Sequence, residues 1–298
     1  MAQTLTFPRD APANAPRALV TLPLGENERV WTLEMRNEPD NRLLPEFIKT
    51  SLLPALDYIE LSWLRLSKSG ANRDGALVLV GERGKGKFFS NGLQLECLQE
   101  YPTFFKSPAH PLTLSPPAQP EQDYYYPLLA RLLAFPLATV AAINGHCFAG
   151  GLCLALCCDW RVCRSDRTWL SMNELQFGAP IPGGMALVLQ SRLSPLVVRD
   201  VLLTAHRYTA PEALKVGIVD EVVEGEGSER ALERAVECAR ERRGLASTGV
   251  LASMKRTLYA PVIERLMLGE PGMALGGAQE EAKQRLEILL KADAMAKL

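Results

Sequence analysis

The stretch Ala141–Gly184 reads AAINGHCFAGGLCLALCCDWRVCRSDRTWLSMNELQFGAPIPGG. An apolar strand-like run, Ala141–Ile143, leads into Asn144-Gly145, then the glycine pair Gly150-Gly151 and the apolar run Leu152–Leu156. A glycine pair at the start of a helix leaves backbone N–H groups without intrahelical acceptors. Downstream, Asn173-Glu174 supplies a single carboxylate. Free N–H donors beside one base suit chemistry next to a carbonyl, where negative charge develops on oxygen as a proton leaves carbon.

The same pattern occurs earlier in the chain. Phe88-Phe-Ser-Asn-Gly-Leu-Gln-Leu95 is an apolar strand ending in Asn91-Gly92, a turn that leaves the amide of Leu93 free to donate. Just before it, Gly81-Glu-Arg-Gly-Lys-Gly-Lys87 matches most of a phosphate-binding loop. Phe88 replaces its magnesium-holding hydroxyl, and a strand follows where a helix is needed. A basic turn after a buried strand is the better reading, with Lys85 or Lys87 available to a ligand phosphate.

Around these motifs the chain alternates strands and helices, an α/β pattern. Arg29–Arg36 and Leu137–Ile143 read as strands, Ala76–Val80 as a strand buried on both faces, and Ile218–Val223 as a late strand. Glu38–Asn41 reads as a turn. Leu52, Leu56, Ile59, Trp63 and Leu66 recur at helical spacing, with Pro54 expected to kink or restart that helix. Residues 1–17 read as a loose arm, 18–224 as the core, and 225–298 as a C-terminal helical region, with Ser228 able to cap its first helix. The proline-rich interruption Thr103–Pro127 closes on Tyr124, Tyr125 and Tyr126 and either shapes the site or is a plain surface loop.

Composition narrows the partners. At 298 residues, 47% hydrophobic and 22% charged, with a net charge of −1, the chain is an ordinary globular protein with no electrostatic case for nucleic acid or an anionic membrane. No apolar run is long enough to span a bilayer, and the first sixteen residues lack the apolar segment of a secretory signal. Seven cysteines, an odd number clustered in apolar sequence, fit reduced thiols used as small hydrophobes. Cys153, Cys157, Cys158 and Cys163 lack the paired spacing of a metal site, so no metal is expected.

Four blocks in order, KFFSNGLQL (Lys87–Leu95), AAINGHCFAGGLCLALCCDWRV (Ala141–Val162), NELQFGAPIPGG (Asn173–Gly184) and APEALKVGIVDEVV (Ala210–Val223), resemble the crotonase, or enoyl-CoA hydratase/isomerase, superfamily. The resemblance runs from about Val30 to Lys255. It implies a ββα-spiral core with a C-terminal α-helical region, assembly as homo-trimers or hexamers, and acyl-CoA thioester substrates with no further cofactor. Carried over by position, the N–H groups of Leu93 and Gly150 form an oxyanion hole, Glu174 is catalytic, and Ser90, Asn91, Gly92 and Gly151 line the substrate.

The carboxylates set the reaction. Hydratases of the family use two glutamates, and here the first position is Cys153 while the second is Glu174. A thiol of ordinary pKa about 8.5 is a poor substitute for a carboxylate. One base suits a 1,3-proton shift, as in the family's Δ3,Δ2-enoyl-CoA isomerases of fatty acid β-oxidation. Cys153 and Pro182 also stand where a dienoyl-CoA isomerase would carry acidic residues. The alternatives are an enoyl-CoA hydratase or dehydratase, and a non-catalytic acyl-CoA-binding subunit. His146 reads as a packed or solvated residue rather than an acid, and Asp159 as a support for a turn or ion pair. Ala296-Lys297-Leu298 resembles a peroxisomal address read by an import receptor, with a cytoplasmic location as the alternative.

Overall fold

The computed structural model describes residues 3–12, 14–23, 28–68, 73–84, 87–94, 125–225, 227, 229–268 and 283–290. The tripeptide Ala296–Leu298, Ser228, Lys85, Cys97 and most of the 103–126 insertion lie outside them.

Two sheets are wound by one chain. The larger contains, in spatial order, β1 (Thr4–Phe7), β2 (Arg17–Thr21), β3 (Val30–Arg36), β4 (Ala76–Val80), β6 (Ala138–Ile143), β8 (Trp160–Arg164) and β11 (Glu221–Val223). The smaller runs β10 (Tyr208–Thr209), β9 (Trp169–Ser171), β7 (His146–Phe148) and β5 (Phe88–Ser90). Each of the pairs β4–β5, β6–β7 and β8–β9 gives one strand to each sheet, so successive turns of the chain stack as a spiral. Strands β3, β4, β6, β8 and β11 are mutually parallel, with Val78 opposite Val140 and Ala142 opposite Val162.

Parallel strands need cover on both faces, and the side-chain alternation supplies two apolar surfaces. Leu77, Leu79, Ala141 and Ile143 face the main core. Ala76, Val78, Val80, Ala138, Val140 and Ala142 face the opposite way, onto Ala231, Leu232, Ala235, Cys238 and Ala239 of α9 (Glu229–Arg242). The C-terminal helical region therefore does not stand apart at residue 225: without α9, one face of the large sheet would be open to water.

The N-terminal segment read as a loose arm is also built in. Thr4–Phe7 pairs antiparallel with β2, Leu5 opposite Val20, and Phe7 is buried in the main core. Its Pro- and Asn-rich residues occupy the connection between the two strands rather than a free tail.

The helix expected through Leu52–Leu66 is preceded by α1 (Pro45–Phe47), which widens into a π-turn over Ile48–Leu52. It resumes as α2 (Leu53–Lys68). Pro54 sits in the first turn after the widening, where its missing N–H costs least. Helix α3 (Tyr125–Leu133) follows the insertion, α4 (Gly150–Leu156) follows β7, and α5 (Glu174–Phe177) follows β9. Thereafter come α6 (Gly183–Arg192), α7 (Pro195–Thr204), α8 (Ala210–Val216), α10 (Leu251–Leu258) and α11 (Ala260–Leu268). Among the described residues, no helix is long and apolar enough to cross a membrane.

Candidate active site

The small sheet brings the distant motifs together. Ser90 of β5 lies opposite Cys147 of β7, and Cys147 lies opposite Leu170 of β9, all parallel. Counting forward from aligned positions, Leu93, Gly150 and Glu174 emerge three or four residues later at the same edge. Carboxyl-terminal edges of parallel strands are where α/β folds place ligands, because chain reversals there open a crevice.

The two N–H donors are prepared by the backbone. Gly92 has φ +81°, a conformation that favours glycine. Ala149 is held at φ 50° and ψ −125°, which costs a non-glycine residue about 1–3 kcal/mol. This conformation turns the next amide, that of Gly150, out of the chain. Neither Leu93 N nor Gly150 N has a backbone acceptor among the described residues. A Cβ on Gly92 would stand 3.0 Å from Gly150 N and 2.8 Å from Ala149 Cβ, so the two turns touch.

Substituting Gly92 by Ala is therefore expected to cost about 1–2 kcal/mol of stability from the left-handed backbone alone. It would also push Gly150 N away, with turnover falling about 10²–10³-fold, the effect of losing one oxyanion donor. Urea unfolding and steady-state kinetics on the same preparation separate the two effects.

Ser90, Asn91 and Gly151 enter as supports. The Ser90 hydroxyl donates to Asn41 O at 2.7 Å and accepts from Gly92 N at 3.2 Å. Asn91 donates to Asp40 Oδ2 at 2.6 Å. A Cβ on Gly151 would meet Ser90 O at 2.6 Å, so only glycine lets α4 lie this close to β5. The side chains of Ser90 and Asn91 are thus committed to the turn.

Glu174 is buried at 6% exposure. Its Oε2 has no hydrogen-bond partner among the described residues. Burial pushes its carboxyl up from the ordinary value of 4.5 to about 7, opposed by a hydrogen bond from its own backbone N–H. Cys153 is completely buried and lies close enough to feel the Glu174 charge, which together with burial drives its thiol well up. It is a neutral apolar wall for the carboxylate. Cys147, Cys157, Cys158 and Cys163 are likewise buried free thiols, and no cluster of metal ligands occurs among the described residues.

His146 is turned to another surface. Its Nδ1 accepts from Trp169 N at 3.1 Å, and its ring stacks on Phe148 with centroids 5.5 Å apart. Burial and the neighbouring Lys87, Arg164 and Arg207 lower its pKa, keeping it neutral. Asp159 accepts from Thr139 N, Thr139 Oγ1 and Lys255 Nζ, the role in an ion pair expected of it.

The turn that follows β4 at Gly81 is held by side chains whose partners the sequence does not reveal. Asn144 accepts from Gly81 N and donates to the carbonyls of Gly81 and Glu82. Buried Glu34 accepts from Arg83 N and Arg83 Nε. Tyr125 and Tyr126 are also missed: both are fully buried, and their hydroxyls meet glycines of α4 and α6. The aromatic run was legible, but its depth was not, because it follows a proline-rich insertion.

A two-sheet spiral of this kind, with two free backbone amides and the buried carboxylate of Glu174 near one edge, is the architecture of the crotonase fold class. The chain belongs to the enoyl-CoA hydratase/isomerase family, whose model matches residues 71–267. It is 31% identical to Enoyl-CoA delta isomerase 3 of Arabidopsis thaliana over 77% of this chain and 88% of that one. It is 28% identical to Enoyl-CoA delta isomerase 1, peroxisomal, of the same plant, over 80% of this chain and 90% of that one. An enoyl-CoA hydratase from Mycobacterium marinum superposes with a TM-score of 0.65 at 25% identity, covering 85% of this chain and 95% of that one. Human mitochondrial delta3-delta2-enoyl-CoA isomerase shares the fold at a TM-score of 0.59 and 24% identity, covering 92% and 98%.

Proposed function

We propose that this protein is a Δ3,Δ2-enoyl-CoA isomerase acting in fatty acid β-oxidation, with the oxyanion hole at Leu93 N and Gly150 N and one base, Glu174. The observation that carries the reading is the buried carboxylate of Glu174 with an unpartnered oxygen, beside which Cys153 stands instead of a second acid. In the reaction, Glu174 takes a proton from carbon 2 of a 3-enoyl thioester. The bonding electrons move into a dienolate whose oxygen accepts from the two N–H groups. The new carboxylic acid then returns the proton to carbon 4, leaving a 2-enoyl thioester. A pKa near neutrality lets one group perform both transfers, since neither direction is strongly uphill. The reaction needs no metal or redox cofactor; coenzyme A arrives with the substrate.

Purified protein given a 3-enoyl-CoA should generate the absorbance of a conjugated 2-enoyl thioester. Hydration of 2-enoyl-CoA faster than this isomerisation would make the protein a hydratase instead. Tight acyl-CoA binding with no turnover would make it a binding subunit. Because the base must start ionised, kcat/KM is expected to rise with pH and level off above about 7, the value to which burial brings Glu174. A profile flat from pH 5 to 8 would exclude Glu174 as the titrating base.

The location proposed is the peroxisome, supported by the Ala296-Lys297-Leu298 terminus and by relatives bearing that word in their names. A fluorescent fusion leaving that terminus free, compared with one lacking Leu298, tests it. Homo-trimers or hexamers are proposed as the assembly; exposed Leu203, Leu258 and Leu268 offer apolar surface for it, and light scattering reads the mass.

A further inference from the structure

Tyr125 and Tyr126 open α3 as neighbours, and both side chains are completely buried. The Tyr125 hydroxyl donates to Gly150 O at 2.7 Å. The Tyr126 hydroxyl accepts from Gly184 N at 3.1 Å. Each phenol also crowds the space a glycine Cβ would take, at Gly150 together with Leu93. A Cβ on Gly150 would lie 3.0 Å from the Tyr125 hydroxyl, and one on Gly184 would lie 2.6 Å from Tyr126 Cζ. One dipeptide thus reaches the first turns of α4 and α6, the helices that precede and follow Glu174 in the chain.

Resting on the isomerase reading, we infer that Tyr125 and Tyr126 are positioning residues that clamp these two helix starts, Tyr125 fixing the aim of the Gly150 oxyanion donor. Gly150 joins two peptide planes: one carries the donor N–H, the other the carbonyl that Tyr125 holds. Glycine has the least restricted backbone of any residue, so its own sterics leave that joint loose. Ala149 sets the plane on the amino side and the phenol pins the plane on the carbonyl side. Preorganised donors stabilise a transition state because they need no reorientation as charge develops. A phenylalanine would fill the same space in the core; a buried hydroxyl at that depth is costly unless its hydrogen bond serves it. Burial drives the Tyr125 phenol far up, so it stays a proton donor throughout the working range. Neighbouring Glu174 and Cys153 act in the same direction.

The test uses the full-length protein and two probes. Acetoacetyl-CoA forms an enolate with its own near-ultraviolet band, and the pH midpoint of that band in the bound state reads how well the donors hold an enolate oxygen. A saturated acyl-CoA reads ground-state binding. Tyr125→Phe is expected to raise the midpoint by about one pH unit, and to lower kcat on a 3-enoyl-CoA tenfold or more. The saturated ligand's Kd and the 3-enoyl KM should stay within twofold of the parent. An unmoved midpoint with kcat within twofold overturns the inference. So does a Tyr125→Phe protein whose Kd for the saturated ligand rises and whose melting temperature falls in step with its activity. Should that variant not fold, 3-fluorotyrosine at position 125 keeps the ring, makes its hydroxyl a stronger donor, and is expected to lower the midpoint; no change overturns the inference. A parent protein that shows the bound enolate band yet isomerises no 3-enoyl thioester removes the isomerase reading and leaves the clamp measurable. A parent with no enolate band removes both.

Discussion

Glu174→Gln is expected to reduce isomerisation about 10²–10⁴-fold, the usual contribution of a positioned general base, while making the protein more stable at pH 8. The carboxyl titrates at about 7 in the folded chain against an ordinary 4.5. The folded state therefore binds the proton more tightly than the unfolded state. As pH rises from 4.5 to 7 the unfolded chain loses this proton first, so stability falls across that window and stays low above it. A displacement from 4.5 to about 7 corresponds to about 3 kcal/mol, since each unit is worth 1.36 kcal/mol. Glutamine keeps the shape and removes the charge that burial penalises. Urea unfolding of both proteins should nearly coincide at pH 4.5, diverge progressively up to about pH 7 and differ by a constant amount above it. Equal stability at pH 8, or full-rate turnover by the variant, would show that Glu174 is not the strained base of this site.

Lys255→Met is expected to cost about 3–5 kcal/mol, the loss typical of breaking one side of a buried ion pair. Lys255 is 5% exposed on α10, and its three donors are fully used: Asp159 Oδ2 at 2.6 Å, Leu137 O at 2.7 Å and Phe135 O at 3.0 Å. The methionine would leave Asp159 charged and two carbonyls without this donor, inside the junction between the C-terminal helices and β6. Adding Asp159→Asn should recover part of the loss, because the stranded charge goes with it. The measurement is the urea midpoint at constant slope. A cost below 1 kcal/mol would mean that the C-terminal helices are held by apolar contacts alone.

Much of the site was legible in the residues. The runs Ala76–Val80 and Ala138–Ile143 are strands because they are apolar over a strand's length and bounded by turn residues. The turn at Gly92 and the helix start at Gly150 occur where glycines follow short strands. What escaped the sequence depends on partners far along the chain. Thr4–Phe7 looks like an irregular tail until β2 and β3 offer it an edge. Asn144 looks like a turn residue until its side chain meets Gly81, 63 positions earlier. The tyrosines look like the end of a loop until their hydroxyls meet Gly150 and Gly184.

Local pattern alone picked out the strands Val30–Arg36, Ala76–Val80 and Ala138–Ile143 and the glycine turns where free amides arise. Each of these follows from the alternation of apolar residues and from glycine's backbone freedom, properties that a few neighbouring residues express. Only the tertiary structure decided that Leu93, Gly150 and Glu174 share one edge, because that depends on the register of β5, β7 and β9. It also decided that Glu174 titrates near neutrality, because its burial depends on how the chain packs around it.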